Sequence, residues 1–238
     1  QLLRSEKWRL PLHAKSKESY NWANNIPGNI QALIASRLVD VSDKSLDVIR
    51  TAALMGYRFR LDLLALVLDT FNANDLDMAL DSLVRSGLIE SATDAPVCRF
   101  AHDLVRESVV ASMPRYKAQE LHARIADAIT EFDGNALDQH ASAVLQHLVS
   151  AGSKDTDRMT NLALSAGKSA FERLSFDEAI SMFEKTLELW PDDSDPGALA
   201  EVHFYLARCF VHTHADHDEK LASVHLQRAI DLDWSREG

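Results

Sequence analysis

The sequence predicts a mainly α-helical protein: a helical unit carrying a small β-hairpin, followed by an array of helical hairpins. Three observations point there. Leu and Ala dominate, and 8 Gly with 6 Pro in 238 residues are too few turn residues for a sheet-rich fold. Apolar residues recur at helical spacing from residue 30 onward. In the first half that period is broken by two short β-type runs, residues 88–91 and 97–100.

Residues 1–28 are irregular, with Trp8, Leu10, Leu12 and Trp22 as isolated apolar points. Alternation across Trp8-Arg9-Leu10-Pro11-Leu12 suggests a short extended segment limited by Pro11. Asn25-Ile26-Pro27-Gly28-Asn29 is a turn, with Asn29 able to cap a helix. Ile30, Leu33, Ile34 and Leu38 then share one helical face. A second helix runs from Ser45 to Leu54 and stops at Gly56. A third spans Leu61 to Phe71, and a fourth Leu76 to Val84, closed by Gly87. Leu88-Ile89-Glu90-Ser91 and Val97-Cys98-Arg99-Phe100 form a hairpin around an Asp94-Ala95-Pro96 turn. Asp103 to Met113 returns to helix. Helices followed by a hairpin is the order of a winged helix, here over roughly residues 30–113.

After Pro114, residues 116–132 are amphipathic, with Leu121, Ile125, Ala128, Ile129 and Phe132 on the apolar side. Gly134-Asn135 ends that helix. Paired helices follow at about 136–151, 156–174, 176–189, 197–213 and 217–233. The pairing contains a repeat. With residue 160 as position 1, Gly167, Ala179, Phe183 and Pro191 occupy positions 8, 20, 24 and 32 of the 34-residue tetratricopeptide pattern. Ala222, Leu226 and Ala229 restate the second-helix positions after a longer connection, so 197–233 is a degenerate repeat. Fewer than three clear repeats do not stand alone, so the array either continues past Gly238 or packs on the winged helix.

The apolar and charged fractions, 46% and 26%, are those of an ordinary globular protein. No run is long enough for a membrane helix, and no signal peptide opens the chain. The expected compartment is the cytoplasm. The chain starts at Gln1 without an initiator Met, which reads as a piece of a longer protein. A formal net charge of −11 repels nucleic acid overall. The recognition helix of a winged helix would be Asp75–Ser86, and it sets Asp75, Asp77 and Asp81 against Arg85. That balance excludes DNA binding by this module.

No phosphate-cradling G-x-x-x-x-G-K-[ST] loop, G-x-S-x-G, H-E-x-x-H or kinase signature is present, so the chain holds no catalytic constellation. Cys98 and Cys209 match no metal or redox spacing and read as buried, reduced thiols. The run His212-Thr213-His214-Ala215-Asp216-His217-Asp218 contains zinc-type ligands but falls in a loop with no distant partner, so no metal site is assigned. His140 and His147, seven apart on one helix, and His122 read as packing or surface residues. Asp192, Asp193 and Asp195 read as a solvated turn after Pro191.

The segment with most chemical content is Arg-Phe-Ala-His-Asp-Leu-Val-Arg-Glu, residues 99–107. His102 stands just past the hairpin and at the head of a helix, where free N–H groups and the helix dipole favour phosphate-like anions. Its neighbours belong to a longer series. Ile26-Pro27, Ser36-Arg37-Leu38, Ala52-Ala53-Leu54-Met55-Gly56, Leu83-Val84-Arg85-Ser86-Gly87-Leu88-Ile89, Phe100-Ala101-His102 and Leu121-His122 follow in order over residues 26–125. This series resembles the region downstream of the nucleotide-binding core in signal-transducing ATPases of the STAND class. The likeness is greatest to large tetratricopeptide-bearing regulators with an origin-recognition-type AAA domain.

The resemblance implies three parts: residues 1–28 as the tail of an upstream ATPase lid, 29–132 as a winged-helix arm, and 136–238 as tetratricopeptide-like repeats. Phe100, His102 and Glu107 occupy the Phe-x-His-x-x-x-x-Glu pattern of NOD-like receptors, whose histidine contacts the β-phosphate of ADP. His102 is therefore a candidate contact to ADP held by an upstream domain, ATP, ADP and Mg belonging to that domain of the parent. On the residues alone, His102 either meets the nucleotide or ties the hairpin to the next helix through a backbone carbonyl. Arg37 and Arg106 read as surface or inter-module ion pairs. The implied role is regulatory: the arm restrains the ATPase and the repeats receive a protein or small-ligand signal, the parent's output being a kinase, cyclase or transcription factor. The alternative is a tetratricopeptide scaffold that does not switch and only binds protein partners.

Overall fold

A computed structural model of the chain describes residues 36–38, 41–91, 96–133, 137–191, 195–213 and 218–234. The expected lid tail, most of the first helix and the Asp94-Ala95 turn lie outside them. The chain divides into two compact units, residues 1–113 and 114–238. The architecture is mainly α with one small antiparallel sheet.

In the first unit, residues 36–38 are helical, and the first full helix among the described residues is α1 (Asp43–Met55). Ser42 caps it by accepting a hydrogen bond from the Ser45 amide at 3.2 Å. Val48, Ile49, Ala52 and Ala53 form its buried face. Gly56, at φ +131, ends the helix in a backbone region closed to other residues. The strand β1 (Arg58–Arg60) then leads into α2 (Leu61–Val67) and α3 (Ala73–Arg85). Asn72 caps α3 by accepting from the Asp75 amide at 2.8 Å. Gly87, at φ +66, closes it: its own N–H goes to Val84 and that of Leu88 to Leu83. This closure aims Leu88 and Ile89, the first residue of β2 (Ile89–Ser91), into the core.

The hairpin of β2 and β3 (Val97–Phe100) forms as expected, but it is part of a three-stranded sheet. β3 is central, with Phe59 opposite Cys98 on one side and Ile89 opposite Phe100 on the other. The third strand, β1, carries no readable period: it is Arg-Phe-Arg, three residues with one inward side chain. Phe59 and Phe100 meet with ring centroids 5.8 Å apart, and the core of this unit gathers around them. α2 stops four residues short of the expected Phe71. The chain must turn through 68–71 to reach the extended Asn72 cap. α4 (Asp103–Ser112) follows β3 directly.

The second unit is helical: α5 (Arg115–Asp133), α6 (Leu137–Ala151), α7 (Thr156–Glu172), α8 (Phe176–Leu189), α9 (Pro196–Thr213) and α10 (Asp218–Trp234). Each packs on its neighbour in sequence, as three hairpins: α5/α6, α7/α8 and α9/α10. The unit starts at Pro114, so α5 belongs with the helical array and not with the arm that was expected to run to 132. Its apolar side, Leu121, Ile125, Ala126 and Ile129, is buried in the hairpin with α6, and a helix follows whatever covers that face.

The α7/α8 hairpin closes on Gly167. A Cβ there would lie 2.6 Å from the ring of Phe183, which is fully buried beside Ala179. The α9/α10 hairpin departs from the expected pattern. Ala222 and Ala229 are buried, but Leu226 is 45% exposed.

Candidate functional site

His102 is the N-cap residue of α4, two residues past the end of β3. Ile89 and Phe100 anchor the strands below it, both wholly buried, so Phe100 of the Phe-x-His pattern is a core residue. The His102 backbone carbonyl accepts from the Val105 amide at 3.0 Å, which starts the helix. Its imidazole is exposed and makes no side-chain hydrogen bond among the described residues. The tie to a backbone carbonyl is thus not formed in this structure.

Around His102 the first turns of α4 hold an ion-pair group. Arg106 Nε donates to Asp103 Oδ1 at 2.8 Å, and Arg106 Nη2 lies 3.7 Å from Glu107 Oε1. Burial, and then the neighbouring Asp103 carboxylate, push the Glu107 carboxyl above its ordinary range. Arg106 therefore pairs within its own helix. Arg37 lies near the α3–β2 turn, with Nη1 3.6 Å from where a Cβ on Gly87 would sit. An anion reaching the head of α4 would meet one imidazole and the free N–H groups of the first turn. It would also meet the Asp103 carboxylate, which Arg106 partly neutralises.

The outer face of α3 presents Asp77 and Asp81, while Asp75 is bound to Lys44 at 2.7 Å. Cys98 and Cys209 are buried and in no disulfide, and burial raises both thiols, Cys209 to about 11. Among the described residues no group of three His, Cys, Asp or Glu could hold a metal ion. Residues 214–217 of the His/Asp run, with Asp192 and Asp193, lie outside those residues. His212 stacks on Phe176, ring centroids 4.7 Å apart, at the edge of an open depression lined also by Leu174 and Glu178. Asp195 accepts from the Gly197 amide at 3.1 Å, at the start of α9.

Two histidine contacts escaped the sequence reading. His122 of α5 and His147 of α6 face each other with Nδ1 atoms 2.8 Å apart. His203 of α9 and His225 of α10 do the same at the same distance. His122 and His147 were each legible as packing residues, but nothing in their spacing pairs them. His203 is 4% exposed among Val202, Leu206 and Phe210, and that polar residue in an apolar helix face was the one available signal.

The α7–α9 surface is the other chemically distinct region. The guanidinium of Arg208 lies over Phe171 at 4.5 Å and over Phe204 at 5.7 Å, and forms no ion pair among the described residues. Phe204 and Val211 beside it are 45% and 60% exposed. Lys168 is bound to Glu201 at 2.9 Å and reaches over Tyr205.

Comparison with known proteins adds little to this geometry. No protein-family model matches the chain, and no solved structure does. The chain is 27% identical over 161 residues to an uncharacterized protein of Rhizobium meliloti (strain 1021). The match covers 67% of this chain and 15% of that protein, so the chain corresponds to a small part of its relative's length. No helix among the described residues is long and apolar enough to cross a membrane.

Proposed function

We propose that this chain is the regulatory and partner-binding part of a multidomain signal-transducing ATPase of the STAND class. The first unit acts as a winged-helix arm that restrains an upstream nucleotide-binding domain. The second acts as a tetratricopeptide-like array that receives a protein or small-ligand signal. The chain performs no catalysis of its own. ATP, ADP and Mg are held by the upstream domain, and the parent works in the cytoplasm without contacting nucleic acid through this module.

One observation carries the reading: His102 is held at the head of α4, exposed and without a side-chain partner among the described residues. A histidine used only to brace the hairpin would be bonded to it. A neutral imidazole can donate one hydrogen bond to a phosphate oxygen, and an imidazolium adds charge. A contact made with ADP but lost with ATP would shift the population from restrained to released. The partner-binding half is supported by Arg208, stacked between two rings on an exposed aromatic face, an arrangement that carboxylate-bearing partners fit.

The test is His102→Ala in the full-length parent. ADP should dissociate faster and basal output should rise, with the thermal midpoint unchanged. Unchanged ADP retention in a normally folded variant would leave the second reading, a scaffold that binds partners and does not switch.

A further inference from the structure

Two part-buried imidazole pairs in one helical unit, with the same Nδ1···Nδ1 distance of 2.8 Å, constitute a feature that nothing in the proposed switch uses. The His122 and His147 rings have centroids 5.0 Å apart, and those of His203 and His225 5.1 Å. At 2.8 Å, two Nδ1 atoms must share one proton: one ring donates and the other accepts through its lone pair. A neutral pair satisfies this, and so does a pair carrying one positive charge. A doubly charged pair does not, because both Nδ1 atoms then carry hydrogen and two donors of like charge face each other.

We propose that the pairs are proton-sharing clasps that hold the α5/α6 and α9/α10 hairpins closed while each contains a single Nδ1 proton, and that acid opens those hairpins by protonating both rings.

The surroundings favour release under acid. The charges acting on these rings from the facing helices are the partner imidazoles and, at His203, Arg228 of α10. Among the described residues no carboxylate figures in the groups acting on either pair. Phe210 stacks on His225 at 5.7 Å, adding an apolar wall. Burial accordingly lowers all four rings below the ordinary histidine range, with His147, His203 and His225 at about 4. The α7/α8 hairpin between them closes on Gly167 and Phe183 and has no such pair, so it serves as an internal control.

Nitrogen-detected NMR of the 238-residue chain tests the clasp without any mutation. At neutral pH one ring in each pair should carry its proton on Nδ1 and the other on Nε2. All four rings in the Nε2–H form, titrating like free histidine, would overturn the proposal. Thermal unfolding supplies the second arm. The midpoint should fall by roughly 5 °C or more between pH 7 and pH 5, and His203→Leu/His225→Leu should remove a large share of that fall. An acid-induced fall of equal size in the variant would also overturn it. Zn²⁺ added at pH 7 should leave the midpoint unchanged. A rise with Zn²⁺ that vanishes when a pair is replaced would make the pairs a metal chelate instead of a clasp.

Discussion

The α7/α8 and α9/α10 hairpins are built by the same chain logic and closed by opposite chemistry. In the first, a missing side chain at Gly167 lets the Phe183 ring fill the crossing. In the second, His203 and His225 meet at 2.8 Å beside the apolar cluster of Val202, Leu206, Phe210 and Ala222, a contact that needs one shared proton. The comparison teaches that a helical hairpin needs a filled, satisfied interface and is indifferent to how the filling is made. An apolar plug works at any pH. A pair of imidazoles works only while it is not doubly charged.

The comparison breaks most sharply at Phe183. Phe183→Ala empties a fully buried site and should cost about 3–5 kcal/mol, read as a fall in the urea midpoint with little change in slope. Acid should come next, and on the other hairpin. Rings lowered from 6.5 to about 4 on folding bind protons more readily when unfolded. Their contribution is therefore complete above about pH 6.5 and is lost as the pH falls toward 4, by on the order of 2 kcal/mol for each of these two rings at pH 5. Hydrogen exchange at pH 5 should accordingly show α9 and α10 opening before α7 and α8.

A smaller effect is expected at Gly167. Alanine gains about 1 kcal/mol of helix propensity, but its Cβ would sit 2.6 and 2.7 Å from two atoms of a ring with no room to retreat. Overpacking of that kind costs about 1–3 kcal/mol and wins, so Gly167→Ala should be destabilising by roughly 1 kcal/mol in thermal unfolding. The smallest effect has the opposite sign. Leu174, at φ +60 and 71% exposed, sits between α7 and α8 in the left-handed conformation that glycine tolerates. Leu174→Gly should stabilise the α7/α8 hairpin by about 0.5–1 kcal/mol, a gain calorimetry can detect.

How much was legible in the chain follows from the range over which each signal acts. α1, α3, α5 and α7 were readable because their apolar periods and terminal residues lie within one helix length. Ser42, Asn72 and Asp155 cap α1, α3 and α7 through bonds to residues three positions on. The β2–β3 hairpin was readable for the same reason. β1 was not, because an Arg-Phe-Arg run becomes a strand only when β3 presents Cys98 opposite Phe59. At the candidate site, the place of His102 at a helix head was legible from residues 97–110. Its exposure and freedom from the hairpin were not. The histidine pairs were least legible, since 25 residues separate one pair and 22 the other.

By itself, then, the sequence determined a mainly helical chain with one small hairpin, the stops at Gly56 and Gly87, and the close crossing at Gly167. All of these are consequences of local backbone conformation and side-chain volume. Tertiary structure decided that α5 joins the helical array, that Leu226 faces outward, and that four histidines meet in twos. Those outcomes depend on which faces cover one another, and a buried imidazole has no preferred partner until the fold brings a second one within hydrogen-bonding distance.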